Sequence, residues 1–521
     1  MERKWWTLLA VCTGVFMLLL DVTIVNVALP DIRDAFGASL ADLQWVIDAY
    51  ALSLAALLLT AGSIADLRGR RLVFAVGIGV FTLGSLLCGL AGGTTYLALA
   101  RALQGVGGAI MFATSLALLA QAFAPQERGT AFGVFGAVTG IAVAIGPVLG
   151  GAITSWLSWR WIFFVNLPVG AVALAVTLLR VEESRAPGAR RPDWAGCVTF
   201  TVALAALVYG LIRSHADGWG SATVAGSLGA AAVLLVAFLA IERRSAAPML
   251  DLALLRVPTF DGGLVAAFAI SASIFSLLTF LVLYIQGVLG YSALQTGVRF
   301  LPLTLAIFVT AGIAGRLVDR VPVRLLIAPG FLLVGTGLLL MRGLQAGDDW
   351  THFLPGFVVA GIGAGLVNVP LASTAVGVVE PERAGMASGI NSTLRQVGVA
   401  TGVALLGSVL ASQLRDAVAD RLTGGPLGAR ADAIAEAVGD GRIGQVVGTL
   451  PAAQRGLAAQ AAQAGYADAL NAILLIGALL ALAGAVLTLV LIRGRDFVAA
   501  PDEAEAPAAP GVRPRHDFAT S

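Results

Sequence analysis

The sequence is short of charge. Asp, Glu, Lys and Arg make up 12% of its 521 residues, about half the ~25% typical of a soluble chain. With 58% hydrophobic residues and a mean hydropathy of +0.89, it has too few polar groups to cover a globular surface. Lipid must therefore be its main solvent. A net charge of +2 is too small for a nucleic-acid partner. Histidine is nearly absent: His215, His352 and His516 fall in predicted loops or the tail, so no His-based catalytic or metal cluster can be built. Cys12, Cys88 and Cys197 lie far apart inside apolar runs, with neither a disulfide framework nor metal spacing. No GxxxxGK[ST] loop is present, so ATP does not drive the protein directly. No catalytic residues, cofactor or metal are expected.

What the chain has in abundance is long apolar runs. A membrane helix needs about 20 apolar residues. Fourteen runs qualify: 5–29, 42–65, 72–93, 95–121, 129–153, 161–180, 194–212, 221–241, 260–286, 295–318, 324–342, 352–377, 386–411 and 468–492. The first is too long for a cleaved signal, contains Asp21 and lacks a clear cleavage site. The loops alternate in basic residues. "MERK", "DLRGRR" (66–71), the 180–193 and 242–256 segments, "RLVDRVPVR" (316–324) and "RGR" (493–495) fall on one side. The positive-inside rule makes that side cytoplasmic and places both termini there. The basic residues are nearly all Arg and Ala and Gly abound, a composition that points to a high-GC bacterial source and hence to a multi-pass protein of the bacterial cell membrane. The one long outer loop, 412–467, is expected to hold short amphipathic helices. The tail 496–521 is Pro/Ala-rich and expected to be disordered.

A turn occurs twice. "GSIADLRGRRL" (62–72) returns as "GRLVDRVPVRL" (315–325), and "QERGTA" (126–131) returns as "PERAGMA" (381–387) at nearly the same offset. Two echoes at one offset imply a duplicated six-helix unit in parallel orientation. The organisation expected is a first bundle over 1–180, an inserted helix pair with linkers over 181–257, and a second bundle over 258–495.

Here the residues carry a resemblance. "GSIADLRGRRLVF", with Gly62, Asp66, Gly69, Arg70 and Arg71, resembles the signature loop of the major facilitator superfamily. Leu67 stands where an Arg is usual. "RALQGVGGA" (101–109) resembles its span 4 motif, with Arg101 and Gln104. "AIGPVLGGA" (144–152), with Gly146, Pro147, Gly150 and Gly151, resembles the antiporter motif of span 5, although Ala142 replaces its usual first Gly. "LDVTIVNVALP" (20–30) and "WRWIFFVNLPVG" (159–170) resemble the fourteen-span drug:proton antiporter branch. The resemblance implies an all-α membrane protein of the major facilitator fold, with two parallel six-helix halves plus two inserted helices. It also implies a conformational latch at the 62–71 turn, in which Asp66 pairs with Arg128 or a helix N-terminus while the cytoplasmic side is closed. The Gly-Pro motif implies a hinge or seal.

A charge at mid-bilayer costs roughly 2.5–3.5 kcal/mol, so the few present are candidates for function: Asp21, Asp48, Arg101 and Arg395. At 1.5 Å per residue, Asp21 lies about 13 Å, Asp48 about 9 Å and Arg101 about 10 Å from the outer ends of their spans. All three share one depth and are expected to couple protons. Asn26, Gln104, Arg395 and Gln396 are candidates for the substrate cavity. No acid lies within spans 9 to 13 apart from Asp261 and Asp319 at span ends, which argues against dications as cargo. The reading is a proton-coupled exporter of hydrophobic or amphiphilic small molecules such as antibiotics, working as a monomer. The alternatives are a major facilitator transporter of another metabolite class and a polytopic protein outside transport.

Overall fold

The computed structural model describes residues 2–123, 127–185, 193–245, 248, 250–318, 320–379, 384–423, 425–439 and 449–497. They are helical, with short connections. In chain order the helices are α1 (Arg3–Phe36), α2 (Leu40–Arg68), α3 (Arg70–Gly89), α4 (Thr94–Ala122), α5 (Arg128–Trp156), α6 (Trp161–Phe164), α7 (Asn166–Arg180), α8 (Trp194–Asp217), α9 (Ala222–Glu242), α10 (Pro258–Ile270), α11 (Ser276–Gly287), α12 (Ala293–Arg299), α13 (Leu301–Leu317), α14 (Arg324–Leu340), α15 (Leu354–Gly377), α16 (Ala384–Leu422), α17 (Ala431–Gly439) and α18 (Ala452–Leu491). One π-helical turn, Ser271–Phe275, joins α10 to α11. Among the described residues, eleven spans are long and apolar enough to cross a membrane, or up to 13 if two bent pairs each count as one. The apolar helix α14 is shorter, at 17 residues.

The bends have local causes. The α5 bend of 42° separates Val134–Ala142 from Ile145–Trp156, just before Gly146 and Pro147. Proline lacks the N–H that would bond the carbonyl four residues back, which opens the ladder there. The 40° bend between α12 and α13 is likewise followed by a proline, Pro302.

Consecutive spans run up and down, so the bundle has two ends. The terminal end carries Lys4 bonded to Glu127 at 2.8 Å and Thr259 bonded to Asp496 at 2.7 Å. The far end carries Tyr291 bonded to Asp349 at 2.5 Å. A core of Val11, Leu18, Leu54, Phe74, Phe81 and Met111 packs α1 to α4 against α5 and α7. Helices α8 and α9 pack on each other, and α8 also rests against α2 and α16.

The 412–467 segment differs from expectation. Helix α16 runs on to Leu422, and α18 begins at Ala452. At 39 and 40 residues each is about 60 Å long, twice the ~30 Å hydrocarbon core. These extensions are rich in Ala, a strong helix former, and they bury Leu414, Val418 and Leu422 against Ala458, Ala461 and Ala462. Gly465 lets them close, since a Cβ there would stand 2.6 Å from Val418. Arg421 pairs with Asp468 across the same contact. Of the short helices expected, α17 is present. Asp319 of the repeated turn, the rest of 440–448 and the tail after residue 497 lie outside the described residues.

Candidate functional site

The site is a buried polar network inside the first group of helices. Asp21 on α1 and Arg101 on α4 form an ion pair, Nη1 to Oδ2 2.5 Å, with side chains 0% and 2% exposed. The same nitrogen donates to Gln104 Oε1 at 2.7 Å, and Arg101 Nε donates to the Val46 carbonyl of α2 at 3.2 Å. The guanidinium lies 4.1 Å from the Tyr50 ring centroid, a favourable stack for a planar cation.

The other carboxylate oxygen, Asp21 Oδ1, accepts from Gln104 Nε2 at 2.8 Å and from Asn166 Nδ2 at 3.3 Å. Ser85 Oγ accepts from both amides, at 2.9 and 2.8 Å. Four helices, α1, α3, α4 and α7, thus converge on one carboxylate, which plays an acceptor-only role. Glycines permit the convergence. A Cβ on Gly84 would stand 2.7 Å from the Gln104 backbone, and one on Gly107 2.3 Å from the Phe81 nitrogen.

The expectation that Asp21 and Arg101 share a depth is met by their contact. Asp48 is different. It is fully buried, and neither of its oxygens has a hydrogen-bond partner among the described residues. One turn before it, Gln44 donates to the Val403 carbonyl of α16 at 3.1 Å. One turn after it, Ala51 clusters with Val208 and Ile212 of α8 and with Ala400 and Ala404 of α16. Asp48 shares that face, the α2–α8–α16 seam, and is not hydrogen-bonded into the Asp21 network. Gln104 is also placed otherwise than expected: it is fully buried in the network, where it braces the ion pair. Asn26 accepts from Thr279 of α11 at 3.3 Å. Arg395 donates to Asn368 at 2.9 Å, and Gln396 is half-buried.

The glycines of the 144–152 motif are packing surfaces. A Cβ on Gly146 would stand 1.9 Å from Thr23 Oγ1, and one on Gly150 2.7 Å from Ile24. Gly151 faces α12, where a Cβ would meet the Ala293 carbonyl at 2.4 Å; Gly297 of α12 in turn faces the Pro147 carbonyl at 2.2 Å. This is reciprocal close packing of two helices at the far end.

At the terminal end, Arg70 donates to Gln121 at 3.4 Å and Arg71 to the Val181 carbonyl at 3.4 Å. Gly62 faces no atom closer than Ala113 at 4.0 Å. The side chains of Asp66 and Arg128 lie outside the described residues. The side-chain hydrogen bonds that join α1–α7 to α10–α18 among the described residues run from mid-depth to the far end: Thr393 to the Ala55 carbonyl, Gln44 to the Val403 carbonyl, Thr279 to Asn26, Gln286 to the Val27 carbonyl, and the Leu294 N–H to Ser155 Oγ.

The sequence profile of the Major Facilitator Superfamily matches residues 11–403. The chain belongs to this superfamily. As a major facilitator protein it is 40% identical over 409 residues to the multidrug resistance protein Stp of Mycobacterium tuberculosis, covering 78% of this chain and 76% of that one. It is 40% identical over 412 residues to the puromycin resistance protein pur8 of Streptomyces alboniger, covering 78% and 82%. It is 34% identical to the tetracenomycin C resistance and export protein of Streptomyces glaucescens, over 98% of this chain and 96% of that one. The fold also matches a bacterial homolog to the human lysosomal transporter Spinster, solved in an inward-facing and occupied conformation. The TM-score is 0.64 at 16% identity, with coverage of 95% and 98%.

Signals for the missed members of the network were faint. Ser85 sits in an apolar run, and Asn166 follows "WIFFV". An Asn inside such a run is costly unless paired; that cost, and its place in the 159–170 motif, were its marks.

Proposed function

We propose that the protein exports hydrophobic or amphiphilic small molecules such as antibiotics across a bacterial cell membrane, in exchange for protons, and catalyses no covalent reaction. The observation that carries the proton part is the sealed Asp21–Arg101 pair, with side chains no more than 2% exposed. The export and resistance names of relatives at 34–40% identity support the cargo class.

The mechanism follows from the geometry. Cross-bundle hydrogen bonds fasten the far end, and at the terminal end the described side-chain hydrogen bonds stay within each bundle. With the termini in the cytoplasm, this is the state open to the cytoplasm. Cargo enters from that side. Reopening outward requires α5 and α12 to part at Gly151 and Gly297. It also shifts α1 against α4, which breaks the Asp21–Arg101 bond and lets the carboxylate take a proton from outside. Re-forming the pair on return expels that proton inward. The potential supplies about 2.3 kcal/mol per charge per 100 mV.

The two bent spans and α14 complete a fourteen-span topology if each crosses the bilayer. Residues 1–180 and 258–495 are the two moving halves, with 181–257 as the insert. The unit is a monomer. The 62–71 turn, with Asp66 and Arg128, latches the cytoplasmic side in the opposite state.

The test is cargo-induced proton release from reconstituted vesicles. Asp21→Asn is expected to abolish release while leaving measurable cargo binding, and Asp48→Asn to give a partial defect. Normal release by Asp21→Asn would move the coupling acid elsewhere, with Asp48 next.

A further inference from the structure

Two arginines lie deep inside this protein, and they are treated differently. Arg101 is neutralised by Asp21 at 2.5 Å. Arg395, 11 residues into α16 and so about 16 Å from its start, has no carboxylate partner among the described residues. Its one described hydrogen bond runs from Nη2 to the neutral Oδ1 of Asn368, 2.9 Å away on α15. A guanidinium has five N–H donors, so most remain unused. None of its nitrogens is both buried and unbonded, and the side chain keeps partial exposure. The spare donors therefore face open space.

That space lies on the α10 and α15 side of α16, the face opposite the one that meets α2. Two residues earlier on α16, Thr393 bonds to the Ala55 carbonyl of α2 at 3.4 Å. Asn391, one turn before Arg395, bonds to the Gly263 carbonyl of α10 at 3.4 Å. Asn368 is itself held by donating to the Ala364 carbonyl at 3.0 Å, so its oxygen is aimed at Arg395 and cannot turn away. The guanidinium is pinned at one corner, with its other edge free.

An unneutralised cation in a membrane interior costs a few kcal/mol and persists where something is gained from it. Resting on the exporter reading above, we propose that Arg395 is the cargo-recognising cation and that the preferred cargo carries an anionic oxygen group on an otherwise apolar ring system: a carboxylate, enolate or phenolate. The planar fork of Arg395 pairs with such oxygens through two parallel N–H bonds, while Asn368 holds its orientation. The apolar remainder of the cargo lies along α10, α15 and α16 beside it. The scarcity of acids within spans 9 to 13, where Asp261 and Asp319 stand only at span ends, fits this choice, since a carboxylate beside Arg395 would compete with the cargo.

Rhodamine 110 and rhodamine 123 provide the test. They share one xanthene scaffold, and rhodamine 123 is the methyl ester of the rhodamine 110 carboxylate. Equilibrium binding of each dye to the full-length protein in detergent, with no gradient, is the readout. Wild-type protein is expected to bind rhodamine 110 more tightly than rhodamine 123. Arg395→Gln should weaken rhodamine 110 binding about tenfold and leave rhodamine 123 binding unchanged, whereas Arg395→Lys should keep part of the preference. Equal binding of the two dyes by wild-type protein would overturn the assignment, and this arm needs no variant to fold. So would an Arg395→Gln protein that loses both dyes alike, which marks a structural role. The exporter reading fails separately, as no gradient-driven movement of either dye by wild-type protein in proteoliposomes.

Discussion

The carboxylate of Glu183 occupies the place a side chain on Gly69 would take. A Cβ at Gly69 would stand 2.7 Å from Glu183 Cδ and Oε1. Glu183 accepts the backbone N–H of Arg71 at 3.0 Å and that of Leu72 at 3.2 Å, so it caps the N-terminus of α3, where orphan donors and the helix dipole favour an anion. Arg70 N–H meanwhile bonds to the Ser184 carbonyl at 2.9 Å. The linker after α7 is thereby stitched to the signature turn. Arg3 holds the adjacent Glu182.

Gly69→Ala is therefore expected to be more damaging than loss of the acid itself. Gly69 has φ 117°, a region an L side chain enters at about 1–3 kcal/mol, and the new methyl also displaces Glu183. Glu183→Ala removes the cap, worth about 1 kcal/mol, and a long, partly exposed ion pair with Arg71 at 3.8 Å that adds little. Thermal midpoints in detergent should fall in the order wild type, Glu183→Ala, Gly69→Ala. An unchanged midpoint for Gly69→Ala would show that the turn relaxes freely.

Gly151→Val should wedge the far end apart. Its side chain would meet the Ala293 carbonyl, and even a Cβ there stands at 2.4 Å. Gly297→Val should do the same from the other helix, against Pro147. A cysteine at Ser292, at the α12 start, should then react faster with an impermeant maleimide in either variant. Equal reaction rates would remove the far-end seal from the mechanism.

Asp66→Asn is expected to remove most efflux while the protein still reaches the membrane at normal level. If the 62–71 turn is the proposed cytoplasmic latch, a neutral amide cannot hold it and the cycle stalls. Drug accumulation in a pump-deficient host, compared at equal expression, measures it. Normal efflux would reduce Asp66 to a topology residue.

Orientation can be read from single cysteines at Arg185 and Thr423 in a background lacking Cys12, Cys88 and Cys197. Thr423→Cys should label in intact cells with an impermeant reagent, and Arg185→Cys only after the cells are opened. The reverse pattern would invert the topology.

Hydropathy and arginine placement are local properties, so the span order, the turn at 62–71 and the Gly-Pro break in α5 could be read along the chain. Deep charges are rare enough that Asp21, Asp48, Arg101 and Arg395 stood out one by one. Which of them meet was not written locally. Asp21 finds Arg101 80 positions away and Asn166 145 positions away, whereas Asp48, at similar depth, turns to the α8 and α16 seam. A helix of 3.6 residues per turn offers every polar residue several possible neighbours, and only the rotation and crossing of packed helices selects one. The same holds for the 412–467 segment. Its apolar content is too low to announce a span, yet α16 and α18 continue through it because each supplies the other's buried face. Local sequence determined what could enter the membrane; packing between distant helices decided which charges were neutralised there and left Arg395 without a carboxylate partner among the described residues.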